Sequence, residues 1–144
     1  MSRDAVVYLT VDQIIALHDA ALAEYGGLGG TRSPQQLAAA VTQPQQSAFG
    51  EDAYATIPEK AAAYGYFLAE AQAFIDGNKR AAALALETFL YINGFELLQD
   101  DDEIAQMFED LGAKVIGQGE FFGWVCNHAR LRTSGGAQVI DYPR

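Results

Sequence analysis

Apolar residues recur every three or four positions through most of this chain, the spacing of helices that bury one face. Ile14, Leu17, Ala21 and Leu22 mark a first helix from about Val11 to Tyr25, stopped by Gly26-Gly27, where left-handed backbone costs little. Leu37, Ala40 and Val41 mark a short second helix that Pro44 ends. Ile57 to about Ala71, rich in alanine and tyrosine, is predicted as the third. The fourth runs from Lys79 to Ile92, with Ala81, Leu84, Ala85, Thr88, Phe89 and Ile92 on one face, and ends at Asn93-Gly94. Ile104, Met107, Phe108 and Leu111 follow Asp100-Asp101-Asp102 as a fifth, the acids placed favourably at a helix start. Phe121, Trp124, Val125 and His128 define a last helix from roughly Glu120 to Arg132.

Three of these helices carry legible start signals. Thr10-Val11-Asp12-Gln13, Ser33-Pro34-Gln35-Gln36 and Thr56-Ile57-Pro58-Glu59 each set a hydroxyl three residues ahead of a Gln or Glu, as a capping box does. Gln45 to Ala55 has no clean period and contains Phe49-Gly50-Glu51-Asp52, which reads as an exposed loop or short hairpin. The pattern predicts an all-α fold of about six helices in one domain over residues 1–132, with a C-terminal tail over 133–144 after the Thr133-Ser134-Gly135-Gly136 break. At 144 residues and 50% hydrophobic content the chain suits one ordinary buried core.

Charge narrows the choice of partners. A formal net charge of -10, from nine Lys and Arg against nineteen acids, argues against a broad contact with nucleic-acid phosphates. With no apolar run long enough to span a bilayer and no charged-then-apolar leader, the expectation is a cytoplasmic protein that uses no membrane. The single Cys126 cannot make an internal disulfide, and its helical spacing with the aromatics reads as a small buried hydrophobe.

Against that acidic background, Phe74-Ile75-Asp76-Gly77-Asn78-Lys79-Arg80 places a carboxylate, a turn and two cations just before a long helix. Unpaired N–H groups at a helix start favour an anion. Gly77 lets backbone approach a ligand, Lys79 and Arg80 supply a point charge and a planar fork for phosphate oxygens, and Asp76 is a hard ligand for Mg²⁺ shared with phosphates. Taken alone, Asp76 and Asn78 read equally as turn or cap residues, and Lys79 and Arg80 as solvated first-turn residues. Cations at a helix N-terminus oppose the macrodipole, however, which makes sense when an anion sits between them and the helix.

This stretch resembles the Fic/Doc (Fido) family signature, His-Pro-Phe-x-Asp/Glu-Gly-Asn-Gly/Lys-Arg, unbroken from Phe74 to Arg80. Ile14-Ile15-Ala16-Leu17-His18-Asp19, Tyr25-Gly26-Gly27-Leu28, the Leu37 to Pro44 stretch, Tyr54 to Ala61 and Asn93-Gly94-Phe95 look like its death-on-curing (Doc) branch, covering roughly residues 6 to 130. The resemblance implies a compact helical Fido domain whose 45–55 region acts as a flap holding a target segment. It implies ATP as substrate, Mg²⁺ on Asp76, phosphate binding by Gly77, Asn78, Lys79 and Arg80, and transfer of a phosphoryl or nucleotidyl group to a protein hydroxyl. Lys79, where other members have glycine, resembles the branch that transfers the terminal phosphoryl group. The implied partners are a small antitoxin acting in trans and a target in the translation machinery.

The chain departs from the signature at two positions, with Gln72 for the general-base histidine and Ala73 for the proline. Glutamine has no titratable proton in the working range, so it can orient a hydroxyl without deprotonating it. His18 and His128 read as packed or surface histidines ahead of replacement bases. Two functions stay open: a Doc-like toxin enzyme impaired at Gln72, and a catalytically inactive module that binds nucleotide or protein.

Overall fold

Thr10 and Thr56 open their helices as full capping boxes, and Ser33 and Asp100 each accept a first-turn N–H. These caps set the frame of the computed structural model, which describes residues 5–133. The expected tail over 133–144 lies almost wholly outside them. Six α-helices follow in order: α1 (Val11–Tyr25), α2 (Pro34–Thr42), α3 (Ile57–Ala71), α4 (Asn78–Ile92), α5 (Asp101–Gly112) and α6 (Gln118–His128). The mostly helical fold expected from the periodicity is the one observed.

Helices α3 and α4 pack most extensively on each other; α6 and α2 lie against α3, while α1 and α5 lie against α4. Their shared core contains Tyr64, Leu68, Ala85, Leu86, Phe89, Leu90, Phe108 and Phe121. On α4 the buried set is broader than the predicted stripe. Ala82, Leu86 and Leu90 are buried beside Ala81, Ala85 and Phe89, while Leu84, Thr88 and Ile92 are half-buried, because helices cover α4 from more than one side. On α1, His18 takes a buried place where Leu17 and Leu22 are only half-buried.

Gln45 to Ala55 does contain a short hairpin. Strands β1 (Ser47–Ala48) and β2 (Glu51–Asp52) pair antiparallel around Phe49 and Gly50, both at positive φ, as a tight hairpin turn requires. The buried Lys60 ammonium anchors it by donating to Asp52 Oδ2 at 3.0 Å and to the Tyr54 carbonyl.

The last helix is shorter than its apolar period suggests. It ends at His128, and Ala129–Leu131 forms strand β4, antiparallel to β3 (Phe95–Leu97). The Leu98 N–H to His128 carbonyl bond (2.8 Å) and the Arg132 N–H to Gly94 carbonyl bond (2.9 Å) extend the pairing at both ends. A partner more than thirty residues away supplies the hydrogen bonds that another helical turn would have made.

The segment leading into α1 is tied to the core through Tyr64, whose hydroxyl accepts the Leu9 N–H at 2.8 Å and donates to the Leu9 carbonyl at 3.3 Å. Burial pushes the Tyr64 pKa from 10.0 up to about 12, the Leu9 backbone bond opposing the shift and Tyr8 adding to it. The neutral phenol is therefore the form the fold favours. Its stabilisation is complete below pH 10 and is lost as pH rises from 10 through about 12. Tyr64→Phe leaves the buried Leu9 N–H without its partner and is expected to cost about 1–3 kcal/mol in urea unfolding at neutral pH. It also flattens the fall in stability above pH 10, so the gap between the two proteins narrows in alkali.

Candidate functional site

Helix α3 runs into the motif through a sharp left-handed step. Gln72 caps it at φ 46 and ψ 46, a conformation costing a side-chain-bearing residue about 1–2 kcal/mol. The step leaves Gln72 exposed and turns Ala73 and Phe74 into the core, where they are 1% and 2% exposed.

From there the chain lies against the glycine-rich loop that follows α1. The Ala73 carbonyl accepts the N–H groups of Arg32 (2.6 Å) and Ser33 (3.0 Å), and the Ile75 N–H donates to the Gly30 carbonyl at 3.0 Å. Thr31 and Phe74 form an antiparallel bridge between these bonds. The Asn78 side chain closes the loop from the other side, its Oδ1 accepting the Phe74 N–H at 2.9 Å and its Nδ2 donating to the Phe74 carbonyl at 3.0 Å. Both ends of this amide are thus engaged in shaping the loop.

Asp76 stands exposed at the apex. Its Oδ1 accepts the Gly77 N–H at 2.9 Å and its Oδ2 accepts the Leu28 N–H at 3.2 Å. A Cβ on Gly27 would come to 3.0 Å from Asp76 Oδ2, so a glycine there lets the two loops meet. The N-cap of α4 is Gly77, at φ 76, rather than Asp76. No side chain caps this helix, in contrast to the ends headed by Thr10, Ser33, Thr56 and Asp100. The first N–H groups of a helix have no carbonyl within it to bond, which leaves them available to an anion.

Two cations flank this helix start. Lys79 Nζ lies 3.5 Å from Glu109 Oε1, an exposed ion pair of the kind worth about 0–1 kcal/mol, so the lysine is lightly held. The Arg80 guanidinium stacks over the Tyr25 ring at 3.8 Å, which orients its fork without consuming its N–H donors.

Beneath the loop lies His18, 1% exposed, its Nε2 2.6 Å from the Asp76 carbonyl oxygen and its ring stacked on Phe74 at 3.8 Å. Nothing in the spacing of His18 and Asp76, fifty-eight residues apart, announces this contact. The Leu28 N–H, Tyr25 and Glu109 were equally invisible as neighbours of the motif. His128 is engaged within its own helix, Nδ1 2.8 Å from the Trp124 carbonyl. Cys126 is half-buried, and burial, with Glu59 adding, pushes its thiol pKa up, which disfavours the nucleophilic thiolate. A surface pocket of about 310 Å³ is lined by Glu87, Thr88, Tyr91, Glu96 and Leu97, none of them from the motif.

Among the described residues no group of three or more His, Cys, Asp or Glu could hold a metal by itself. The donor set instead suits Mg²⁺ carried by one carboxylate together with phosphate oxygens and water, since both Asp76 oxygens keep lone pairs beyond the N–H bonds they accept. No helix among the described residues is long and apolar enough to cross a membrane.

A helical domain whose α3–α4 junction carries this loop defines a class, and comparison with known proteins agrees: the chain belongs to the Fic/DOC family, whose model matches residues 8–90. It is 46% identical over 78 residues to the protein named Toxin Doc of Mycolicibacterium smegmatis, a stretch covering 54% of this chain and 60% of that protein. It is also 32% identical over 100 residues to the Protein kinase doc of Escherichia phage P1, covering 69% of this chain and 78% of that protein.

Proposed function

We propose that this protein is a Doc-like toxin, the toxin half of a toxin–antitoxin pair, that binds ATP with Mg²⁺ and transfers a phosphoryl group to a protein hydroxyl. The observation that carries the reading is the uncapped start of α4, with an exposed Asp76 carboxylate beside it and Lys79 and Arg80 on its first turn. Kinship with proteins named as a toxin and as a protein kinase supports it.

In this reading Arg80 and the α4 N–H groups hold phosphate oxygens, Gly77 lets them approach, and Asp76 binds Mg²⁺, which neutralises charge on the phosphates when present. Asn78 acts chiefly by holding the loop, and Lys79 directs which phosphorus is presented. A bond forms between the target oxygen and the terminal phosphorus as the bond from that phosphorus to the β-phosphate oxygen breaks, releasing ADP. Gln72 orients the hydroxyl, whose proton passes to solvent, so turnover is slow. Residues 1–132 form the working Fic/Doc domain with 133–144 as its tail, in the cytoplasm. The partners are a small antitoxin whose segment folds onto the toxin and a target in the translation machinery.

A second reading, a catalytically inactive module that binds nucleotide or protein, is favoured by Gln72 alone. Labelling separates the two. With ATP labelled at the terminal or the α-phosphate, the enzyme reading expects label on protein from the terminal phosphate only, and its loss in Asp76→Asn, which keeps an acceptor for the loop but removes the charge. Label from the α-phosphate means nucleotidyl transfer; nucleotide binding without any label means the inactive module.

A further inference from the structure

We infer that His18 is a positioning residue for the motif, fixing the Asp76–Gly77 peptide and through it the direction of the Asp76 carboxylate. A buried imidazole is costly unless its polar atoms are paired, and His18 is 1% exposed. Its Nε2 lies 2.6 Å from the Asp76 carbonyl oxygen, which can only accept, so Nε2 carries the proton and donates. That carbonyl and the Gly77 N–H belong to one planar peptide unit, and the N–H donates to Asp76 Oδ1 at 2.9 Å. Pinning the carbonyl on one side therefore aims the N–H on the other, and the N–H holds the carboxylate.

Two further contacts keep the imidazole in place. The ring stacks on Phe74 with centroids 3.8 Å apart and planes 7° from parallel, and a Cβ at position 77 would lie 3.4 Å from Nε2. Gly77 thus lies against the ring that holds its own peptide. His18 is itself buried and bonds the Asp76 backbone, so it acts through Asp76 and not on a ligand. Its Nδ1 is 3.9 Å from Asp19 Oδ1, beyond hydrogen-bonding range. The donor to Asp76 is the contact that packing alone does not require.

The inference deepens the proposed function in one respect: a misaimed Asp76 should bind Mg²⁺-ATP less well. Two full-length variants test it. His18→Phe keeps a ring to stack on Phe74 and loses the donor; His18→Gln loses the ring and restores an N–H near the Nε2 position. Calorimetry with Mg²⁺-ATP on folded protein is expected to show affinity about 10–100-fold weaker for His18→Phe, the range typical of outer partners of metal ligands, and largely rescued in His18→Gln. Hydrogen exchange gives a readout that needs no ligand. The Gly77 and Leu28 amides, which donate to Asp76, should lose protection in His18→Phe and regain it in His18→Gln, while α4 amides keep theirs. Unchanged protection of both amides in His18→Phe overturns the inference, as does wild-type affinity in that variant. Wild-type protein that binds no Mg²⁺-ATP refutes the proposed function instead, and the exchange result still decides the role of His18.

Discussion

Gln72→His is expected to raise the rate of phosphoryl transfer by about 10²–10⁴-fold, the usual contribution of a positioned general base. Gln72 is exposed at the left-handed step from α3 into the motif, so a ring there is open to solvent. Histidine is among the residues that accept this conformation more readily than most, so the substitution should keep the turn. Ala73→Pro, added to it, retains the carbonyl that accepts from Arg32 and Ser33. The check is the rate of label transfer from terminally labelled ATP in cell extract, with growth of expressing cells as a second readout. Equal rates for the wild type and the Gln72→His variant would mean that something other than the missing base limits the reaction.

Phe74→Ala is expected to destabilise the fold by about 3–5 kcal/mol, as large-to-small changes at buried aromatics do. Phe74 is 2% exposed, stacks on His18, and has its own N–H and carbonyl held by Asn78. It is the joint between core and motif. Removing the ring leaves a cavity under the loop and an imidazole without its stacking partner, a large fraction of the roughly 5–15 kcal/mol typical of a whole domain. Urea unfolding checks the size, and Phe74→Leu should lose clearly less. A Phe74→Ala protein within about 1 kcal/mol of wild type would show that the loop is not built on this ring.

The helices were legible because their signals are local. Thr10, Ser33, Thr56 and Asp100 cap within one turn, and Ile104, Phe108 and Leu111 repeat on one face, so boundaries and inward faces follow from neighbouring residues. The β3–β4 pairing was not legible, since Ala129 to Leu131 continue a helical period and become a strand only because Phe95 to Leu97 lie alongside. The site divides the same way. Phe74 to Arg80 is contiguous and readable as a candidate phosphate and metal motif, whereas the residues the structure sets against it come from elsewhere: His18 and Tyr25 from α1, Leu28 and Gly30 from the loop after it, Glu109 from α5. Asn78 has a contact that its residue type does not announce. Its residue type suggests a cap or a phosphate ligand, and its amide is found bonded to the Phe74 backbone.

On the proposed reading, Asp76 and the start of α4 form a cradle for metal-bound phosphate. Calorimetric titration of ATP into the full chain, with and without Mg²⁺, tests it most directly. Binding should require Mg²⁺ and weaken about tenfold or more in both Asp76→Asn and Arg80→Ala, the loss expected for removing a charge-assisted contact. Wild-type protein that takes up no ATP with Mg²⁺ present, or that binds it equally well after either substitution, would contradict the cradle.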